Sequence, residues 1–236
     1  MPELWSRSLD YSDFLVVVKD CVMEGPAGEA RLVDALPRLN RERRSTVLAV
    51  LGDAQGPRGV DVLREALTGM DLDIDGRCAA LLALAKRAGF DASADLAAHV
   101  VHPDESVRRY AMHALAVVGD DRAWEQVFTL LERILDRSVP GGDHLPMSSV
   151  HAAFEAMVAI SYLVRYLAVD EDRLRKSRLV QLLRGRFDRL YAAEQAFLHQ
   201  HWPGCEPSGP VPDSLSSPDP RSFVAWARQP LFGPVF

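Results

Sequence analysis

The stretch Pro103-Asp104-Glu105-Ser106-Val107-Arg108-Arg109-Tyr110-Ala111 decides the fold, because its pattern occurs three times along the chain. Each copy has an Asn or Asp residue followed four positions later by arginine. The three pairs are Asn40/Arg44, Asp73/Arg77 and Asp104/Arg108, separated by steps of 33 and 31 residues. Self-similarity at this period is typical of a helical solenoid, in which each unit buries its apolar face only against its neighbours.

Small and apolar positions follow the same steps and predict two helices in each unit. The first helices carry trios at i, i+3 and i+4, namely Val47/Val50/Leu51, Ala80/Ala83/Leu84 and Ala111/Ala114/Leu115. The second helices carry pairs at i and i+4, namely Leu63/Leu67, Leu96/Val100 and Val127/Leu131. We expect each Asn or Asp side chain to cap its helix by accepting a first-turn amide hydrogen bond. We expect each arginine to reach the aspartate of the next unit, which would form a ladder of ion-paired turns.

These residues give the chain a resemblance to the HEAT repeat, in particular to the short form also found in phycobilisome lyase-like proteins. The matching positions are Pro103, Asp104, Val107, Arg108, Ala111, Ala114, Leu115, Gly119 and Ala123. The middle copy departs from the third by having Gly76 instead of Val107, and the first copy has Asn40 and Val47 for aspartate and alanine. The resemblance covers residues 38–135. It implies an all-α fold, a right-handed α–α superhelix with C-terminal capping helices and an extended tail.

The period also sets the predicted domain boundaries. Residues 1–202 are expected to form one helical-repeat domain, in which residues 148–202 are capping helices that break the 31–33-residue rhythm. Leu32 and Leu36 stand 31 residues before Leu63 and Leu67 and indicate a degenerate initial repeat. Residues 203–236 are a Pro-rich linker followed by an aromatic tail.

Charge and cysteine usage limit the classes of protein to consider. The 27 basic and 33 acidic residues give a net charge of −6, so the chain as a whole does not attract nucleic acid or an anionic membrane. The longest apolar runs are too short to span a bilayer, and the first residues lack the pattern of a signal peptide. Cys21, Cys78 and Cys205 are widely spaced and odd in number, which fits reduced thiols in a cytoplasmic protein.

Two clusters contain metal-binding residue types, and each has a simpler interpretation. The segment 71–76 resembles the start of a calcium loop, but Leu82 stands where such a loop needs a bidentate glutamate, and the repeat alignment favours Asp73 as a helix cap. The second cluster has three possible zinc ligands: His199, His201 and Cys205. Their spacing fits no closed zinc site, and histidines near a helix C-terminus interact favourably with the helix dipole. The sequence therefore predicts no metal and no cofactor.

His151 and Glu155 are the best candidates for a catalytic pair, since residues four apart on a helix share one face and could act as general acid and base. A surface contact is the favoured interpretation, because no nucleophile signature or phosphate-binding loop accompanies them. A non-catalytic protein is the better prediction.

The predicted function is an adaptor or scaffold that binds a protein or peptide on a concave surface formed by the second helices. The candidate partner-binding residues on that row are Arg64, Asp95, His99, Gln126 and Glu132. A loop inserted at residues 137–147 lies at one end of the row.

Two further groups are candidates for partner binding. A helical stripe suited to phosphates or an acidic partner contains Arg175, Arg178, Arg186 and Arg189. The alternative for this stripe is a solvated face balanced by nearby acidic residues. The tail contributes Trp226 and Phe232, which either dock in a partner or pack on the last helices.

Two alternative functions follow from resemblance. The first is a nucleic-acid-binding protein similar to the HEAT-like alkylpurine DNA glycosylases, which use a basic concave face. The net charge of −6 argues against it. The second is chromophore attachment or isomerisation on a partner, which the phycobilisome lyase-like repeats imply.

Overall fold

A computed structural model describes residues 6, 9–69, 72–136, 156–160, 162–163 and 173–201. Within these ranges the regular structure consists of helices alone, which confirms the all-α prediction for them. The α-helices are α1 (Tyr11–Met23), α2 (Pro26–Ala35), α3 (Arg41–Val50), α4 (Gly59–Gly69), α5 (Ile74–Ala88), α6 (Ser93–Ala97), α7 (Glu105–Val118), α8 (Trp124–Leu135), α9 (Arg173–Gly185) and α10 (Ala192–His201). Residues 156–160 and 162–163 are also helical. Short 3-10 helices span Leu36–Arg38, Gly89–Ala92, Asp121–Ala123 and Phe187–Arg189.

The repeated Asn and Asp residues are helix caps, as the sequence predicts. Oδ1 of Asn40 accepts a hydrogen bond from the amide of Arg43 at 3.0 Å. Asp73 and Asp104 accept the corresponding bonds from the third residues of α5 and α7, at 2.8 and 3.1 Å. Each bond satisfies an amide that has no partner inside the helix.

The repeated arginines do not form the predicted ladder, and that prediction is wrong. Each guanidinium donates to backbone carbonyl oxygens in the segment before its own helix. Arg44 donates to Leu39 O at 3.1 Å, and Arg77 donates to Leu67 O at 2.9 Å. Arg108 makes the same kind of bond. The reason is that helical side chains lean toward the helix N-terminus, so an arginine in the first turn reaches back to the preceding turn.

Helix pairs pack in series along the chain. α5 packs against α3 on one side and α7 on the other, while α4 and α6 pack against the first helices that follow them, α5 and α7. Every member of the three predicted trios and three predicted pairs is at most 4% exposed. The repeated positions therefore form the core between neighbouring units.

The same spacing extends at both ends of the described chain. In α1 the trio is Phe14/Val17/Val18, and in the helical residues 156–160 it is Ala156/Ala159/Ile160. The matching second-helix pairs are Leu32 of α2 with Leu36 directly after it, and Leu179/Leu183 in α9. All these side chains are at most 8% exposed. The break in the 31–33-residue period after α8 is thus an insertion. Beyond it, buried residues with the repeat spacing occur again.

A buried carboxylate holds the turn between α3 and α4. Glu29 of α2 is inaccessible to solvent, and its oxygens accept hydrogen bonds from the amides of Gly56, Arg58 and Gly59 at 2.8–3.0 Å. Nη1 of Arg87, on α5, completes the site at 2.9 Å from Glu29 Oε2. A Cβ atom at Gly56 would overlap the Glu29 carboxylate, which explains the glycine there.

The equivalent position two repeats later makes a weaker version of this contact. Ser93 stands three residues before Leu96, as Glu29 stands three before Leu32. The Ser93 side chain is also fully buried, and its Oγ accepts a hydrogen bond from the Asp120 amide at 3.0 Å. In both cases the acceptor lies 27 residues before the turn that it holds.

Replacing Glu29 by glutamine should destabilise the fold by about 3 kcal/mol, because the Arg87 charge would lose its buried counter-charge. Urea unfolding followed by circular dichroism measures this. The matched control is Asp95→Asn in the exposed pair with Arg64, which should cost less than about 1 kcal/mol. A loss for Glu29→Gln no larger than that of the control would contradict the structural role of this carboxylate.

Stability should also fall on mild acidification because of His113 in α7. Burial, with a smaller contribution from Arg109, lowers its pKa from 6.5 to about 4. Between these two pKa values His113 binds a proton in the unfolded chain but not in the folded chain. The stability that is present above about pH 6.5 is therefore lost as the pH falls toward 4. Between pH 7 and 4.5 the wild type should lose about 2–3 kcal/mol more than His113→Gln. Equal losses in urea unfolding would rule this out.

Candidate interaction surface

The outer faces of α2, α4, α6, α8 and α9, here named the second-helix face, carry ion pairs that join neighbouring units. Asp34 of α2 pairs with Arg58 at 2.9 Å. Arg64 of α4 pairs with Asp95 of α6, also at 2.9 Å and 31 residues apart in the chain. These side chains are 35–64% exposed, so the pairs contribute little to stability and remain open to exchange with a partner.

Two further ion pairs join α8 to α9. Nη1 of Arg178 contacts both carboxylate oxygens of Glu125, at 2.8 and 3.1 Å. Arg186, directly after α9, pairs with Asp136, directly after α8, at 2.6 Å. Arg178 pairs with the start of α8, and Arg186 pairs with the residue after its end. The two helices therefore run parallel, although 37 residues separate them in sequence.

Aromatic rings lie beneath the first of these pairs. Trp124 and Phe128 of α8 stack with their ring centroids 4.8 Å apart. The Arg178 guanidinium lies 4.4 Å from the Phe128 centroid and 5.2 Å from that of Trp124. Arg175 lies 5.3 Å from the Trp124 centroid. Stacking of a guanidinium on an aromatic face adds attraction to the ion pair, so α9 is held to α8 by packing as well as charge.

An open cleft of about 290 Å³ remains between α8 and α9. It is lined by Phe128 and Glu132 of α8 and by Arg178, Gln181, Leu182, Gly185 and Arg186. The ion pairs Arg178–Glu125 and Arg186–Asp136 lie toward its two ends. The cleft thus combines an apolar wall with charged and amide side chains, a composition suited to binding part of another molecule.

The structure brings three predicted partner-binding residues together in this cleft, namely Glu132, Arg178 and Arg186. Gln126 is exposed on α8, and Arg189 lies 3.6 Å from Asp188 in the 3-10 helix after α9. The four-arginine stripe is therefore not a uniformly solvated face, since three of its members contact residues of α8 or the residue that follows it.

A second group of predicted residues lies on α4 and α6. Arg64 and Asp95 form the ion pair described above. His99, which follows α6, is half-buried beside His102, with ring centroids 6.3 Å apart. Burial, and then the charges of Arg77 and His102, lower the His99 pKa. The remaining predicted residues, Trp226 and Phe232, lie outside the described part of the chain, as does the loop 137–147.

Sequence reasoning missed the cleft residues Phe128, Gln181, Leu182 and Gly185. It missed them because it did not place α9 beside α8. The sequence does carry a signal for this placement. Leu179 and Leu183 have the i, i+4 spacing of the second-helix pairs, although their distance from Val127 and Leu131 departs from the 31–33-residue period.

The metal and catalytic candidates have ordinary surroundings where the structure describes them. Asp73 caps α5 and also accepts a hydrogen bond from the Ser45 hydroxyl at 3.5 Å. His199 packs edge-on against Phe187, with centroids 6.2 Å apart. No three His, Cys, Asp or Glu side chains among the described residues form a group that could hold a metal ion. The pair His151/Glu155 and Cys205 lie outside the described residues.

Comparison with known protein families, with characterised proteins and with solved structures finds no match to this chain. Among the described helices, none combines the length and the apolar character that crossing a membrane requires. The site must therefore be interpreted from its own geometry.

The ring contacts of Arg178 should matter more for stability than its ion pair. We expect Arg178→Ala to cost about 1–2 kcal/mol, because it removes the guanidinium from two aromatic faces. Glu125→Ala, which removes only an exposed counter-charge, should cost less than about 0.5 kcal/mol. Thermal and urea unfolding compare the two variants. Equal costs would mean that the ion pair alone holds α9 at this point.

Proposed function

We propose that this protein is a non-catalytic adaptor or scaffold that binds a protein or peptide partner on its second-helix face. The proposal includes the arrangement of its helix pairs as a right-handed HEAT-like superhelix, with that face on the concave side. The observation that carries it is the serial packing of helix pairs, which leaves a row of exposed, exchangeable ion pairs ending in the cleft between α8 and α9.

The two cysteines among the described residues fit a protein of a reducing compartment such as the cytoplasm. Cys21 and Cys78 are free and buried. Burial raises the pKa of the Cys78 thiol to about 12, and it raises the pKa of Cys21 as well. Neither thiol is therefore available as a thiolate nucleophile at neutral pH, and both act as apolar core side chains.

Nucleic-acid binding is the alternative, favoured by the basic residues of α9. Its weakness is that Arg178 and Arg186 already have carboxylate partners, so phosphates would have to displace Glu125 and Asp136. Binding of a labelled DNA duplex that weakens steeply with salt would favour this alternative.

Exchanging the charges of the Arg64–Asp95 pair tests the adaptor proposal. In the double variant Arg64→Asp, Asp95→Arg the ion pair is kept while the surface presented to a partner changes. We expect partner capture from a lysate of the native host, quantified by mass spectrometry, to fall at least about tenfold with unchanged thermal stability.

The control is Glu42→Lys, an exposed charge reversal on the first helix α3. It should leave partner capture intact. Capture that is insensitive to the Arg64/Asp95 exchange, or equally sensitive to Glu42→Lys, would contradict binding on the second-helix face.

A further inference from the structure

The charges lining the α8/α9 cleft are not equivalent. Arg178 and Arg186 are each neutralised by a carboxylate, Glu125 and Asp136 respectively. Glu132 is exposed, and within the described part of the chain its carboxylate has no ion pair and no hydrogen bond. The one lining charge that lacks a counter-charge is therefore negative, which favours a cationic group in the cleft.

The directions of the helices strengthen this preference. Because α8 and α9 run parallel, their C-terminal ends lie at the same end of the cleft. Glu132 is in the last turn of α8, and Gly185 is the last residue of α9. Helix C-termini carry partial negative charge, so two of them add to the carboxylate of Glu132 in attracting a cation.

One side chain of the cleft offers apolar surface to a ligand. Phe128 is only 3% exposed and lies under the Arg178 guanidinium, whereas Leu182 on the opposite helix is partly exposed. A bare cation would leave Leu182 in contact with water, whereas an aliphatic or aromatic side chain would cover it.

We infer that the cleft between α8 and α9 binds a peptide segment of a protein partner that carries lysine or arginine next to a large apolar side chain. The cation pairs with Glu132, and the apolar side chain covers Leu182. This inference rests on the proposed adaptor function and gives the chemistry of the partner for one part of the face.

Gly185 offers a way to block the cleft. A Cβ atom at Gly185 would meet no atom within 4 Å, and its φ angle lies in the ordinary negative range. Gly185→Leu therefore adds a side chain at a residue that lines the cleft, and its Cβ atom meets no clash and needs no strained backbone. Glu132→Gln removes only the charge, and Glu65→Gln on α4 is a matched control for the loss of an exposed carboxylate.

The experiment uses the full chain and a short, blocked, fluorescent peptide with arginine between leucine and tryptophan, followed by anisotropy. The chain contains a basic and aromatic segment of its own, with Trp226 close to Arg228, so all proteins carry Arg228→Glu to remove competition from it. We expect binding that weakens on the order of tenfold in Glu132→Gln, is lost in Gly185→Leu and is unchanged in Glu65→Gln.

Three results would overturn the inference. The first is binding of a peptide with glutamate in place of arginine as tightly as the original. The second is equal affinity of Glu132→Gln and Glu65→Gln, and the third is displacement of the peptide by a DNA duplex at low salt. Thermal unfolding of each variant verifies that it is folded.

The adaptor proposal can be separated from this inference by lysate capture with the same variants. Partner capture that depends on Arg64 and Asp95 but not on Gly185→Leu would leave the adaptor function standing and remove the cleft from it. The opposite result is peptide binding in the cleft together with no partner whose capture depends on the second-helix face. That result would keep the cleft as a peptide site and contradict the adaptor function.

Discussion

The second-helix face depends on the buried ion pair between Glu29 and Arg87. The Glu29 carboxylate on α2 accepts hydrogen bonds from the backbone amides of the turn before α4, and the Arg87 guanidinium on α5 neutralises its charge. This contact joins three successive units and sets where α4 begins. A buried charge is costly without its partner, so the arrangement tolerates little displacement of any of the three elements. Ser93 makes the neutral equivalent of the contact to the turn after α7.

Once the turns are held, the second helices lie at a regular spacing, and the ion pairs between them follow. Arg64 and Asp95, which are 31 residues apart in the chain, meet because they occupy neighbouring units. The cleft arises where the chain departs from this regularity. There α9 takes the place of the next second helix after a long insertion, and stacking of Arg178 on Phe128 holds it without filling the space toward Glu132. The candidate site thus lies at the break in the repeat.

Sequence reasoning succeeded where a residue acts on its own backbone and failed where it acts on a neighbour. Asp104 caps its helix because the bond closes within three residues, and such bonds are visible in sequence. Arg44 was expected to point to the next unit, yet its side chain leans back toward the preceding turn. The Glu29 site was missed because its partners are 27–58 residues away in the chain.

The sequence by itself determined that this protein is built from helices, which side chains cap them and which apolar positions face the core. These three properties depend on local hydrogen bonds and on periodic burial, and both can be recognised from the spacing of residue types in the sequence. Only the tertiary structure decided that α9 lies parallel to α8, that three predicted residues share one cleft and that Glu132 alone among its charges lacks a counter-charge. These properties depend on which distant segments meet, because charge neutralisation and cleft formation are set by three-dimensional distance.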